Sequence, residues 1–353
     1  MTAHPRVVMI GPLPPPIDGQ SMVLSHLASH LRVHLPNLIV ADTAAGGLWA
    51  KLARTVRACR SIPGSDTVYV AVKAGHGMWL NVLMVLVARR CGARIFLHHH
   101  SYSYLHGRPA RMVALTRAAG PAAQHIVLAR SMADTLRAQF PEITAVPVIN
   151  NAGLVDRSLL RVPIKADGAA PVLGHLSNLY VDKGIGEVVD LAVALNRAGT
   201  RARLIVAGPP TQAGCMHHLA RAARELGDLF DYRGRVTGAA KHAFFEDITH
   251  FVFPSSYLHE SVPLVLHEAM AAGAVCLSTR RGSIPEQVAG GPAVLAADRD
   301  TFVAEVLPVL VGTSVSAAAS VQSRAVFTRA LDEFDQQLRE FVAHTTADSP
   351  LHS

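Results

Sequence analysis

Two glutamates, Glu260 and Glu268, lie eight residues apart in the run Pro254-Ser255-Ser256-Tyr257-Leu258-His259-Glu260-Ser261-Val262-Pro263-Leu264-Val265-Leu266-His267-Glu268-Ala269-Met270-Ala271-Ala272-Gly273. The run follows the strand-like stretch Phe251–Phe253 and passes into a short helical stretch. Pro263 suits the first helical turn, where a missing N–H costs nothing, and Gly273 suits the helix end. Glu260 then falls in the loop at the strand's end, Glu268 a turn or more into the helix, and Pro263 and Leu264 at the helix start between them. Free N–H groups at a helix start can cradle a diphosphate, while flanking carboxylates accept hydroxyls. For a bare pair, a helix cap for Glu260 and an ion pair for Glu268 are the better explanation.

Three further runs carry reactive or binding residue types. In Leu176-Ser177-Asn178-Leu179-Tyr180-Val181-Asp182-Lys183-Gly184-Ile185, a strand gives way to a helix with Lys183 at the turn; its plain reading is an exposed helix-start lysine. In Gly11-Pro12-Leu13-Pro14-Pro15-Pro16-Ile17-Asp18-Gly19-Gln20, glycine permits close backbone approach and a helix starting near Gly19 offers N–H donors. This run is not GxGxxG, so it gives a dinucleotide site little support; a rigid loop without a ligand is its plain alternative. In Arg94-Ile95-Phe96-Leu97-His98-His99-His100-Ser101-Tyr102-Ser103-Tyr104, three histidines suggest a metal. Along a strand, however, His99 points away from His98 and His100, and no carboxylate follows. The expectation is no metal and no cofactor.

The elements that must position these residues alternate. Strands are expected near 6–10, 37–41, 67–72, 94–97, 125–128 and 146–149, with helices at 19–34, 47–60, 77–90, 108–119 and 131–139 between them. After a linker-like stretch at 160–170 the alternation restarts: strands near 172–176, 203–207, 230–234, 251–253 and 274–278, helices near 183–198, 214–226, 240–247 and 263–272. Such alternation implies an α/β protein of two tandem Rossmann-like, doubly wound domains, each binding ligands at the carboxyl ends of its strands, with a cleft between them. The expected domains are 1–160 and 165–320, with a helix over 320–344 packing back towards the first and a frayed tail at 345–353. Half of the 353 residues are apolar and 17% are charged, enough for two cores and too few charges for a disordered chain.

The longest apolar stretch, Met78 to Ala88, is broken by Asn81 and is too short to span a bilayer. The start reads as a strand rather than a secretory leader. The scattered Cys59, Cys91, Cys215 and Cys276 suit reduced thiols, so a cytoplasmic location is expected.

The glutamate run resembles the retaining, GT-B-fold glycosyltransferases of family 4, whose signature is E-[GS]-x-[PG]-L-x-x-x-E-A-M-A-x-G. Every anchor of it stands at 260–273. Ser278-Thr279-Arg280-Arg281-Gly282-Ser283-Ile284-Pro285-Glu286 resembles the G-x-P-E turn of that family. The resemblance implies a GT-B fold, transfer of a sugar from a nucleoside-diphosphate sugar with retention, Glu260 on the donor sugar and Glu268 on the ribose. Run 176–185 is similar to the G-R-L-x-x-x-K-G-[IV] loop, which implies Lys183 on the diphosphate. The arginine position holds Asn178, so one cation is missing: either Lys183 and the helix dipole suffice, or another base such as Arg280 or Arg281 substitutes. Run 11–22 resembles the P-P-x-x-G-G loop, with Gly19 kept and Gln20 in place of the second glycine. His100 matches a histidine placed near the transferred sugar, with His98 a second candidate. Tyr102 and Tyr104 can stack on an acceptor or pack. Tyr232-Arg233-Gly234-Arg235-Val236 resembles the loop covering the nucleotide base, implying backbone contacts at Arg235 and Val236. The resemblance covers about 1–340 and is strongest over 170–290.

Charge is uneven. Residues 1–155 hold 15 Lys and Arg against 5 Asp and Glu, whereas the remainder holds 18 against 21. A basic first half suits an anionic partner, or is only a solvated surface. The expected partners are a nucleotide-sugar donor, a glycan or lipid-linked acceptor of surface polysaccharide synthesis and an anionic membrane surface met peripherally, with no nucleic acid. Leu48–Arg60 is a basic amphipathic helix with one tryptophan; a membrane face and an ordinary outer helix both fit it. Two alternative activities share the architecture: a nucleotide-sugar 2-epimerase, and a non-catalytic sugar-nucleotide binder that the missing arginine would permit.

Overall fold

The computed structural model describes residues 5–15, 19–44 and 46–346. The chain divides into two compact units, Met1–Leu154 with Glu333–Ser353, and Val155–Asp332. Among the described residues no helix is long and apolar enough to cross a membrane.

The first unit alternates β1 (Val7–Gly11), α1 (Gly19–His34), β2 (Leu38–Asp42), α2 (Leu48–Ser61), β3 (Thr67–Val72), α3 (Met78–Arg90), β4 (Arg94–His99), α4 (Ala110–Ala119), β5 (Gln124–Ile126) and α5 (Arg130–Gln139). Its sheet is wholly parallel, in the order β2-β1-β3-β4-β5. Every residue of β1 and β3 is buried, which is why these strands read as continuous apolar runs rather than alternating ones.

The second unit continues with β6 (Val172–Leu176), α6 (Ile185–Arg197), β7 (Arg203–Ala207), α7 (Ala213–Leu226), β8 (Phe230–Tyr232), α8 (Gly238–Asp247), β9 (His250–Phe253), α9 (Leu264–Ala271), β10 (Val275–Thr279), α10 (Ile284–Gln287), β11 (Val294–Ala296), α11 (Phe302–Leu310) and α12 (Ala317–Thr346). Its parallel sheet has the order β11-β10-β9-β6-β7-β8. The first strand of the unit, β6, is therefore central: the chain winds outward through β7 and β8, then returns to the other side of β6 with β9. Ligands of doubly wound sheets bind where the winding reverses, beyond the carboxyl ends of the two strands that flank the reversal. Here those strands are β6 and β9. The core beside them is formed by the buried aliphatics of β6, β7 and α6, with Phe302 and Val306 of α11.

Several expectations need correction. Stretch 146–149 is not a strand but a single bridge between Val127 and Val148. Pro147 has no N–H to give a ladder; its carbonyl accepts from Val127 and Ile149 donates back to Val127. Residues 160–170 are not a free linker, since buried Lys165 donates through Nζ to the carbonyls of Phe245 and Glu246. Strand β11 and helix α11 were not foreseen. Helix α12 extends to Thr346, past the expected start of fraying; beyond it the tail lies outside the described residues. The end of α12 belongs to the first unit, where Phe341 packs edge-on against Phe96 and Tyr69 with ring centres 5.1 and 6.2 Å away.

Candidate functional site

In the second unit the two loops that leave β6 and β9 meet, because their strands are neighbours. The β6 loop ends in a 3₁₀ turn, Val181–Lys183, and Gly184 then takes a left-handed φ of 84°. A side chain on Gly184 would stand 2.5 Å from the Pro254 carbonyl oxygen, so only glycine lets the turn close onto the end of β9. That closure delivers the Lys183 ammonium to Glu260, with which it forms an ion pair. Ser255 Oγ donates to the same carboxylate oxygen at 2.9 Å. The ammonium also lies 4.5 Å from the ring centre of Tyr257 and 5.2 Å from that of Phe253. The aromatic faces favour the cation there.

Glu260 is held from the other side as well. Gly282, at φ 55°, passes so close that a Cβ would lie 2.6 Å from the Glu260 carbonyl oxygen. Ser283 N–H donates to the Ser261 carbonyl at 3.0 Å. The G-x-P-E-like turn thus fixes the loop from β10, and Arg281 Nε donates to the Tyr257 carbonyl at 3.2 Å. Arg280, the other candidate cation, is exposed.

Glu268 is buried on α9 and accepts a 2.5 Å hydrogen bond from Lys241 Nζ on α8. Pro263 is the N-cap of α9 rather than a first-turn residue, and Leu264 is the first helical residue. The Pro263 carbonyl accepts from Gln287 Nε2 at 2.9 Å. The helix start therefore lies, as a chain segment, between two buried carboxylates that each carry a lysine. Asn178 is exposed just after β6. Arg235 is exposed and Val236 half-buried in the loop between β8 and α8.

Two residues near this site were not singled out from sequence. Lys241 sits 27 residues from its partner in an unremarkable helix start, and no local signal marks it. His175, on β6, is bonded through both ring nitrogens, Nδ1 to the Val252 carbonyl at 2.8 Å and Nε2 to Ser177 Oγ at 3.0 Å. Burial first, and the Lys183 charge after it, push its pKa down to about 4, so it is neutral at pH 7.

Gly19 and His100 belong to the first unit. Gly19 is the first residue of α1, and residues Pro16, Ile17 and Asp18 of the proline-rich run lie outside the described residues. His100 follows β4, with its ring centre 4.1 Å from that of His98; burial lowers its pKa to about 4. His98 bonds the Tyr69 hydroxyl, and His99 turns the other way to bond His125 at 3.0 Å. Among the described residues no group of three or more His, Cys, Asp or Glu is arranged to hold a metal ion. Tyr104 is wholly buried against His99, and Tyr102 stacks on His106.

Residues 170–311 match the sequence model of the family described as Glycosyl transferases group 1. That segment is similar to the domain this family is named for. It contains β6, β9, Lys183, Lys241, Glu260 and Glu268. The chain is also similar to the "Putative glycosyltransferase EpsF" of Bacillus subtilis (strain 168), 32% identical over 120 residues. That alignment spans 34% of this chain and 29% of that relative. Among solved structures, HepE of Anabaena in complex with UDP superposes with a TM-score of 0.70 at 15% identity, covering 96% of this chain and all of that one. A glycosyltransferase from Rickettsia africae superposes with a TM-score of 0.69 at 11% identity, covering 98% of this chain and 100% of that one. The fold is GT-B: two parallel-sheet α/β domains of the glycosyltransferase kind.

Proposed function

We propose that this protein is a retaining glycosyltransferase that transfers a sugar, a hexose in the first instance, from a nucleoside-diphosphate sugar to a lipid-linked acceptor of surface polysaccharide synthesis. The observation that carries the reading is the pair of buried glutamates flanking the start of α9, each neutralised by a lysine. Buried ion pairs are a weak source of stability, so two of them at a winding reversal point to a ligand that exchanges with them. A diphosphate at the helix start would draw the Lys183 ammonium towards its own charge and release Glu260 to accept sugar hydroxyls. Glu268 would take the ribose hydroxyls in the same way, with Lys241 moving aside. That HepE is described in complex with UDP and with UDP-glucose supports a uridine donor as the first to try.

In the proposed reaction the acceptor hydroxyl attacks the anomeric carbon on the face from which the diphosphate leaves. The sugar–phosphate C–O bond breaks, the acceptor C–O bond forms, and the acceptor proton ends on the departing diphosphate. Glu260 positions the sugar and is not itself the nucleophile; neutral His100 is a candidate hydrogen-bond donor to a sugar hydroxyl. Lys183 and the N–H groups at the start of α9 bear the leaving charge, with no metal or cofactor required. The reading places the protein in the cytoplasm, peripheral to the inner face of the membrane.

The test is a thermal-shift panel of nucleoside diphosphates and their sugars, followed by transfer assays with and without lipid extract. Donor binding raises the melting temperature by mass action. Transfer should require an acceptor, and Glu260→Gln or Lys183→Ala should lower it by about a hundredfold or more. Epimer formed without any acceptor, or donor binding with no transfer to any lipid fraction, would overturn it.

A further inference from the structure

The chain contains two tryptophans, and both are exposed on the first unit: Trp49 at 83% and Trp79 at 49%. Tryptophan is on average highly buried, so this placement asks for a cause. Each opens a stripe of the same spacing. On α2 the stripe is Trp49, Ala53, Val56 and Arg60; on α3 it is Trp79, Leu83, Leu86 and Arg90. Steps of four, three and four residues keep each stripe on one helix face. The opposite face of α2 buries Thr55 and Ala58, and that of α3 buries Met78, Asn81, Met84, Val85 and Ala88.

The topology puts the two stripes side by side. Helix α2 links β2 to β3 and α3 links β3 to β4, both moving the same way across a parallel sheet. Right-handed crossovers in one direction lie on one face of the sheet, and α2 packs against α3. Both helices run back against their strands, so both tryptophans sit at the edge formed by the strands' carboxyl ends and both terminal arginines at the far edge.

Charge selects the occupant. From Thr43 to Ala133 the chain carries twelve Lys and Arg, and Asp66 is its sole carboxylate residue. Neither α2 nor α3 contains an acidic residue, and α2 offers Lys51, Arg57 and Arg60, while its Arg54 is paired with Asp42 at the end of β2. Arg57, Arg60 and Arg90 make no ion pair among the described residues. A second copy of the chain would oppose arginine to arginine across such a face, which disfavours self-association. An anionic phospholipid surface meets every feature: interfacial tryptophans, aliphatic side chains sunk to the acyl boundary, and arginines reaching phosphates.

We propose that α2 and α3 together form a docking face that seats the first unit on an anionic phospholipid bilayer, with Trp49 and Trp79 at headgroup depth. This deepens the proposed peripheral location and rests on that reading only for the side on which the acceptor is met. Because both tryptophans lie on this face, intrinsic fluorescence reports on it without a label. Full-length protein is mixed with vesicles of phosphatidylcholine alone, or with about 30% phosphatidylglycerol, and followed by emission wavelength and co-sedimentation. The expected result is a blue shift and co-sedimentation with the anionic vesicles only, lost in strong salt. The triple variant Arg57→Glu, Arg60→Glu, Arg90→Glu should weaken binding at least about tenfold, since each basic residue near the surface adds about 1 kcal/mol. Trp79→Ala with Leu83→Ser should weaken it as well, and neither variant should change the thermal shift given by a nucleoside diphosphate. That shift separates the two readings, because it reports the donor site whether or not vesicles bind. No blue shift on anionic vesicles, equal binding to neutral ones, or a dimer in solution that Trp79→Ala dissolves would each overturn the docking face.

Discussion

The two units share one winding scheme and spend their charged residues differently. In the second unit, the loops at the β6–β9 reversal carry a lysine paired with a buried glutamate, and a second such pair holds α9 to α8. At the corresponding reversal of the first unit, between β1 and β3, no lysine–glutamate pair stands among the described residues: Gln20 Nε2 donates to the Val72 carbonyl at 3.1 Å and Lys73 Nζ to the Thr43 carbonyl at 3.3 Å. The polar burial of the first unit lies instead at the end of β4, in imidazoles facing one another. On its outer helices Arg57, Arg60 and Arg90 make no ion pair among the described residues, although Arg54 is tied to Asp42, whereas in the second unit Arg221 pairs with Asp190 and Arg197 with Glu225. A shared fold therefore fixes where loops gather, and the residues placed on it decide which unit grips a charged ligand.

The sharpest way to break that contrast is at Lys241. Replacing it with methionine leaves the Glu268 carboxylate, only 6% exposed, without its lysine. Removing one partner of a buried pair costs about 3–5 kcal/mol, and the low end applies because a third of the Lys241 side chain is in water. Urea unfolding should show that loss for Lys241→Met and recover most of it in the double variant with Glu268→Gln. Arg197→Ala, which removes a pair with one partner 76% exposed, should cost under about 1 kcal/mol. Equal losses at the two sites would mean that the lysines of the second unit are ordinary surface charges.

A middle-sized effect is expected from pH in the first unit. Burial lowers the pKa of His100 and His125 to about 4, and it holds those of His98 and His99 well below the usual histidine value, with the neighbouring imidazoles adding to the effect. The unfolded chain takes up these protons near pH 6.5, whereas the folded one resists them at that pH, His100 and His125 until about pH 4. Stability present above 6.5 is thus lost as pH falls through that window, by at most about 1.4 kcal/mol per pH unit for each group. Hydrogen exchange of the β4 amides should lose protection between pH 7 and pH 5. The second unit holds His175 and His250 near 4 in separate places rather than as one cluster. Protection of β4 that stays flat across this range would show that the imidazole cluster does not govern the acid stability of its sheet.

Legibility in the sequence followed the same division. Lys183, Glu260 and the helix they frame were readable because each follows a strand directly and is bounded by glycine or proline, which are local signals. The strand order that makes β6 and β9 neighbours was not readable, nor was Lys241, since each depends on partners far along the chain. The expected strand at 146–149 failed at Pro147, where apolar character suited pairing but a donor was absent. Tyr104, weighed as an acceptor platform, is wholly buried, because an alternating pattern after β4 does not say which face the core takes. The paired tryptophan stripes were half visible: the basic face of α2 stood out, whereas α3 stood out only as the longest apolar stretch, with nothing to mark its outer side as open.

The smallest effect bears on whether every buried imidazole of the second unit is structural in the same sense. His175 bonds through both nitrogens, so His175→Leu should cost about 1–3 kcal/mol by stranding the Val252 carbonyl. His267, one residue before Glu268, is buried against Phe327 at 6.1 Å, with neither ring nitrogen hydrogen-bonded among the described residues. Burial alone takes its pKa to about 3. A polar ring in such a place has already lost its hydration, and leucine fills a similar volume without that penalty. His267→Leu should be neutral or stabilise by up to about 1 kcal/mol in urea, and leave donor-induced thermal shifts unchanged. A loss as large as that of His175→Leu would mean that the His267 ring satisfies a partner after all, and that the α9 helix is held from its buried side as firmly as from the side of its two glutamates.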